Sequence, residues 1–313
     1  MSVVCVTKRQ FPYIEWSLKC LGEQTYPHSD FEYIIVDGLW HRRKGEYERI
    51  AKEMGVDFKV LHIPDKPNRW NGQRPAIANA RNTGLIFADK ESKYILHHDD
   101  CCKFGNDWIQ RHVNWLESGY FCAGSWVGYK GIDSNGKGII GDLGLEYRAA
   151  HVMRPCIMSA TWFYCQNSSY PLEWALDINA FDEMYDGEMG QEDISLGIRL
   201  ERNGHQMIFD PTNNTEVYVA SHYYEKLIPP VNRILKDERE HFSNEWITER
   251  LLDDKDRVMP YGNIIDIRTA RNIMKNCNLS IDEMYKLMER WEDPDIRDWR
   301  DGELIKEKLD KER

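Results

Sequence analysis

"YILHHDDCCKF", residues 94–104, sets a short apolar run directly ahead of two histidines, two aspartates and two cysteines. Three readings compete: a metal site, the end of a strand carrying a carboxylate pair, and a polar loop rich in ligand-type side chains. A strand is favoured, because Tyr94-Ile95-Leu96 is brief, apolar and follows a helix-type pattern. Alternation along it sends His97 and His98 to opposite faces, so one ion cannot easily take both. Each histidine is therefore expected to pack rather than chelate, and Cys101 and Cys102 are expected as small buried side chains.

The segments before it give the fold class. "SVVCVT" (2–7) is a β-branched run, and "FPYIEWSLKCLGEQT" (11–25) places Ile14, Leu18 and Leu21 at helical spacing. "FEYIIVDG" (31–38) is apolar again, followed by the charged helical pattern "GEYERIAKEMG" (45–55) and the strand-like "DFKVLHI" (57–63). "GQRPAIANARNTGLIFADK" (72–90) then sets Ile77, Ala80, Gly84 and Phe87 along one side of a helix. This β-α-β-α-β-α-β alternation predicts an α/β domain with a parallel sheet covered on both faces. Ligands of such sheets bind at the carboxyl ends of the strands, where Thr7, Asp37 and Asp99 fall.

Further on, "NDWIQRHVNWLESG" (106–119) reads as a helix and "DSNGKG" (133–138) as a hairpin turn. Residues 167–191 read as a loop feeding a helix from Glu192 to Asn203-Gly204. From 226 onward the chain is charge-dense and helical in pattern, broken at Pro229-Pro230, Pro260 and Pro294. The expected division is a main domain over 1–225 and a helical extension over 226–313, packed on the main domain or supporting an oligomer.

Composition narrows the function. With 41 Lys and Arg against 52 Asp and Glu, the formal charge of -11 gives no overall attraction to nucleic acid or anionic lipid. Eight cysteines form no C-x-x-C pair, which argues against a zinc ribbon or a redox motif and for reduced thiols in a cytoplasmic protein. "MSVVCVTKRQ" does not read as a signal peptide, and no apolar run is long enough to span a membrane.

Three acidic sites could meet in space: Asp37, the Asp99-Asp100 pair, and Glu192-Asp193. Adjacent carboxylates at a strand end repel unless a cation or hydrogen-bond donors hold them, and a divalent ion sharing phosphate oxygens is one such arrangement. A solvated turn is the alternative. Glu192-Asp193 could cap a helix, or be aimed into a cleft by the glycine-bearing acidic loop ahead of it. The rings of Trp162, Trp174 and Tyr185 suit either core packing or stacking on a sugar or base.

In order, "VVCVTKRQF", "YIIVDG", "ANARNTG", "YILHHDDCC" and "INAFDEMYDGEMGQEDISLGIRLERNG" make the chain resemble the family 2 glycosyltransferases over roughly residues 2–222. The resemblance implies a GT-A fold, Rossmann-like with a mostly parallel central sheet flanked by helices. It implies an inverting enzyme that moves a sugar from a nucleotide-sugar donor, of the UDP-hexose class, to an acceptor hydroxyl with Mn²⁺ or Mg²⁺. The acceptor would be a glycan, a lipid-linked sugar or another hydroxyl compound. By position, Thr7, Arg9, Asp37, Arg81 and Asp99 would bind the nucleotide sugar, and Asp100 and His222 the metal. Asp193 would be the base, with Glu192 beside it. Two departures stand out: "D-G-L-W" (37–40) replaces the family's frequent "D-D-G-S", and Cys101 takes a position that is often acidic. A catalytically weak nucleotide-sugar-binding module and a metal-dependent phosphohydrolase are the competing functions.

Overall fold

The computed structural model describes residues 1–68, 76–132, 138–187, 191–218, 259, 263, 265–277 and 279–289. Its centre is one sheet with strands in the order β3-β2-β1-β4-β9-β6-β10-β5, with β7 on β6 and β8 on β10. The first half is parallel: β1 (Ser2–Thr7) lies between β2 (Glu32–Asp37) and β4 (Tyr94–Asp99), and β3 (Lys59–Ile63) flanks β2. The second half is mixed. It contains β5 (Cys102–Phe104), β6 (Tyr120–Ile132), β7 (Gly138–Leu145), β8 (Cys156–Met158), β9 (Asn167–Pro171) and β10 (Gln206–Tyr218).

β1 and β2 are short, β-branched and almost wholly buried, as expected of strands covered on both faces. Alternate residues divide between two apolar layers. Val4, Ile34, Val36 and Ile95 face α4 (Ile77–Phe87) and α8 (Glu192–Arg202), whereas Val3, Cys5, Tyr33, Ile35 and Leu96 face α1 (Ile14–Gly22), α3 (Glu46–Glu53) and α5 (Trp108–Glu117). The histidine pair splits as alternation demands. His97 packs on Tyr170 and Phe181, while His98 packs on Tyr33, Phe104 and Trp108. Burial holds both rings neutral, His98 down to about 4.

α4 is buried all round, so its polar residues need internal partners. Asn82 donates to the carbonyl of Phe181 (3.0 Å) and to Glu183 (2.8 Å), and accepts from the Phe181 N–H (2.9 Å). Asp186 accepts from the Ala78 and Asn79 N–H groups at 2.9 and 3.1 Å, placing a carboxylate at the helix N-terminus. Gly84 lets α4 sit close on β1, since a Cβ there would fall 2.4 Å from Val4 Cγ1.

One sequence reading changes. The segment read as a loop before α8 contains β9 and α7 (Leu172–Asp177). After α8, Gln206–Tyr218 forms one long strand, β10, with an irregularity between Asp210 and Asn214. Strand character was hidden in β9 because "NSSYP" is polar: Asn167, Ser168 and Ser169 are buried, Asn167 and Ser169 in hydrogen bonds with α5. The strands flanking "DSNGKG" pair antiparallel, as a hairpin requires, with 133–137 outside the described residues.

Of the C-terminal extension, α9 (Ile267–Cys277) and α10 (Ile281–Glu289) are described, and their apolar residues join the core that contains α4. Arg271 is buried and donates to the carbonyls of Leu85, Ala88 and Asp89, satisfying the open C-terminal end of α4. The boundary at 225/226 lies outside the described residues. Among the described residues no helix is long and apolar enough to cross a membrane.

Candidate functional site

The strand order switches at β1, with β2 and β3 on one side and β4 on the other, and in parallel sheets the crevice at such a point opens at the carboxyl ends. Register pairs Thr7 with Asp37 and Val6 with Asp99, so three of the expected residues share one edge.

Asp37 is fully enclosed. Leu39 N–H (2.8 Å), Arg43 through two nitrogens (2.6 and 2.8 Å) and the His62 ring (3.0 Å) meet its carboxylate. Burial opposes its charge, but the bonds from Arg43 and His62 outweigh it and hold the carboxyl below its ordinary range. Arg43 also donates to the carbonyls of Arg9 (2.8 Å) and Gln10 (3.1 Å), tying the loop after β1 to the end of β2. A nucleotide base can reach Asp37 only if Arg43 shifts.

Asp100 follows β4 and is buried. Thr7 Oγ1 donates to one oxygen (2.5 Å) and Arg9 Nε to the other (2.7 Å). Burial pushes this carboxyl up and Asp99 adds to the effect, while Arg9 and Thr7 restrain it. Asp99 beside it is half-buried, with no side-chain hydrogen bond among the described residues.

The third cluster comes from α4 and α8. Arg81 is buried and pairs with Glu192, with its guanidinium 5.5 Å from the centre of the Phe181 ring. Gln191 has a left-handed backbone (φ 78°) and turns the chain abruptly into α8, which brings Glu192 and Asp193 inward. Asp193 accepts from the N–H groups of Cys165 (3.1 Å) and Ile194 (2.8 Å). Burial, then the Glu192 charge, push Asp193 up to about 7 against the pull of Arg81. The charges of Asp99, Cys165, Glu192 and Asp193 all act on Arg81, so the end of β4 lies within electrostatic reach of this cluster. Tyr147, Trp162 and Tyr164 flank it: the Tyr147 and Trp162 rings lie 5.1 Å apart, the Tyr147 and Tyr164 hydroxyls 2.9 Å apart, and the Tyr164 hydroxyl is influenced by Asp193.

Thr7, Arg9, Asp37, Asp99 and Asp100 therefore share one edge, and Arg81, Glu192 and Asp193 share the adjoining cluster. His222 lies outside the described residues. Arg43, His62 and Cys165 were not legible as site residues; Arg43 stood in "WHRRKG" among several equivalent basic residues, and only the fold selects it. Among the described residues no group of three His, Cys, Asp or Glu side chains comes together to hold a metal. Cys101 packs in a small apolar cluster with Cys102 and Val217, and the counter-cation of Asp100 is Arg9. Asp100, held by Arg9 and Thr7, thus does not fit the divalent ion expected there, and His222, the other residue expected to hold it, lies outside the described residues.

No family model matches the chain, and no curated protein matches it by sequence. Solved structures do match. S. aureus TarS 1–349 superposes with a TM-score of 0.51 at 12% identity, covering 100% of this chain and 91% of that one. Its complex with UDP-GlcNAc gives a TM-score of 0.50 at 12% identity, covering 100% and 92%. The mannosyltransferase PcManGT from Pyrobaculum calidifontis, in complex with GDP-Man and Mn²⁺, gives 0.51 at 17% identity, covering 93% and 84%. At such identities the likeness speaks for the fold, and that fold is the GT-A arrangement expected from the sequence.

Proposed function

We propose that the chain is a nucleotide-sugar-dependent glycosyltransferase that inverts the anomeric carbon in a single displacement, with Asp193 as general base. The observation that carries this reading is the buried Asp193 carboxyl, held by the N–H groups of Cys165 and Ile194 beside the Arg81–Glu192 pair and raised to about 7. A base near neutrality combines a useful ionised fraction with real proton affinity, which is worth roughly 10²–10⁴ in rate. Further support comes from neighbours of the same fold solved with UDP-GlcNAc, UDP and GDP-Man.

In this reading the donor lies along the carboxyl edge, with its base by the Asp37–Arg43 pair, its ribose at Asp99 and its diphosphate near Thr7 and Arg9. A UDP-hexose is the donor class. Arg81 Nε is a buried donor with no hydrogen-bond partner among the described residues, and a ligand oxygen would satisfy it. The acceptor hydroxyl approaches from the side of Tyr147 and Trp162. Its proton passes to the Asp193 carboxylate as its oxygen bonds to the anomeric carbon, and the bond from that carbon to the phosphate oxygen breaks with its electron pair leaving on the diphosphate. The metal-assisted form implied by the resemblance is not carried forward, because Asp100 is held by Arg9 and Thr7.

The test is Asp193→Asn. Calorimetry should show nucleoside diphosphate binding unchanged, while UDP release from UDP-hexose across a panel of glycan acceptors falls by about 10²-fold or more. Equal loss of both would make Asp193 a structural residue and end the proposal.

A further inference from the structure

After α7 the chain turns through two adjacent left-handed residues that are not glycine, Asn179 (φ 54°) and Ala180 (φ 58°). The Cβ of an alanine is crowded in that conformation, so such a turn persists only where its surroundings hold it. We propose that Asn263, in the C-terminal extension, is a positioning residue for the transfer reaction: it clasps this strained turn and thereby fixes Phe181 against Arg81 beside the base. The inference rests on the nucleotide-sugar reading above and goes beyond it by giving the extension a part in catalysis.

Three elements hold the turn. From α8, the helix that opens with Glu192 and Asp193, the buried Arg199 donates to the carbonyls of Ile178 (3.1 Å) and Ala180 (2.6 Å). From α4, Asn82 bonds the carbonyl and the N–H of Phe181 (3.0 and 2.9 Å). From the extension, Asn263 Nδ2 donates to the Asn179 carbonyl (2.7 Å) while Asn263 Oδ1 accepts from the Glu183 N–H (3.0 Å). One amide, which is donor and acceptor at once, therefore spans the left-handed pair and Phe181. The Asn179 side chain answers by accepting from the Ile267 N–H (2.8 Å), one of the open donors at the start of α9.

The clasp reaches the site through Phe181. Its ring centre lies 5.5 Å from the Arg81 guanidinium, and Arg81 pairs with Glu192 next to Asp193. Beyond the clasp, Glu183 pairs with Lys66 (2.6 Å) and Asp186 holds the N-terminus of α4, the helix that carries Arg81. The extension has anchors of its own: Arg271 on the carboxyl end of α4, and Arg268 on Glu173 (2.6 Å) and Asp177 (2.7 Å). Losing the two Asn263 bonds thus leaves α9 seated and loosens the turn.

The experiment compares the wild-type full chain with Asn263→Ala, Ala180→Gly and the double variant by three readouts: calorimetric binding of UDP and of GDP, turnover of the matching nucleotide hexose across the glycan panel, and amide hydrogen exchange. In Asn263→Ala kcat should fall about tenfold, the scale of a lost hydrogen bond, with the nucleotide Kd within about twofold of wild type. Exchange at the Phe181 and Glu183 N–H groups should quicken about tenfold while β1 and β2 stay protected. Glycine is at ease in the left-handed region, so Ala180→Gly should restore kcat about threefold in the double variant. A kcat within twofold of wild type in Asn263→Ala would overturn the proposal. So would a loss of kcat, nucleotide binding and β1–β2 protection together, which marks general destabilisation, or a loss that Ala180→Gly leaves untouched. Failure of the wild-type chain to bind either nucleotide would overturn the nucleotide-sugar reading itself, and this inference with it, whatever the exchange shows.

Discussion

Glu192→Gln probes the electrostatics of the site most sharply. Asp193 lies at about 7 because burial and the Glu192 charge raise it together, with Arg81 and two N–H groups opposing. Its ionised fraction is then about 1% at pH 5 and about 90% at pH 8, so kcat/KM should climb by roughly two orders of magnitude between them. The substitution deletes the like charge, keeps the burial and leaves Arg81 to act on Asp193. The rising limb should move down by about one unit. At pH 6 the variant then retains about half of its own plateau where the wild-type chain retains about a tenth. UDP release followed from pH 5 to 9 reads this directly. A flat profile, or a limb that stays in place in Glu192→Gln, would refute the reasoning. Stability carries its own sign check. A carboxyl whose folded pKa of about 7 lies above the ordinary 3.8 favours the protonated folded state; that contribution is complete below about pH 4 and lost as pH rises through about 7. Asp193→Asn should therefore melt above wild type at pH 8, with the gap closing by pH 4.

Arg81→Ala would leave Glu192 buried without its partner, and urea unfolding should show a loss of about 3–5 kcal/mol, part of which Glu192→Gln recovers in the same chain. Gly84→Ala drives a Cβ into Val4 Cγ1 and should cost about 1–3 kcal/mol in the same assay, relieved in part by Val4→Ala. Trp162→Ala should raise the acceptor KM roughly tenfold, equivalent to about 1.4 kcal/mol, and leave nucleotide binding measured by calorimetry unchanged.

The parallel half of the sheet was legible because its signals are local. β-branched runs alternate with helix-spaced ones, and Asp37 and Asp99 stand at the ends of the apolar stretches that became β2 and β4. The start of α8 was legible for a similar reason, since Glu192 follows an acidic, glycine-bearing segment and precedes a clear helical period. What escaped depends on long-range partners. β9 hides its strand character because its buried side chains are polar and are satisfied by His112 and Trp108, more than fifty residues away in sequence. The engagement of Asp37 by Arg43 and His62, and of Asp100 by Arg9, decides what those carboxylates can do, and no spacing rule predicts which basic residue closes on which acid. Arg271 of α9, which caps the end of α4 from more than 180 residues away, was equally invisible in a segment that read only as charged and helical.

The most direct test of the central claim is a crystal structure of the chain with a nucleoside diphosphate sugar. The account predicts the diphosphate in the crevice between the ends of β1 and β4, against Arg9, with the anomeric carbon turned toward Asp193. A nucleotide bound away from that edge, or an anomeric carbon beyond the reach of any hydroxyl held by Asp193, would contradict it.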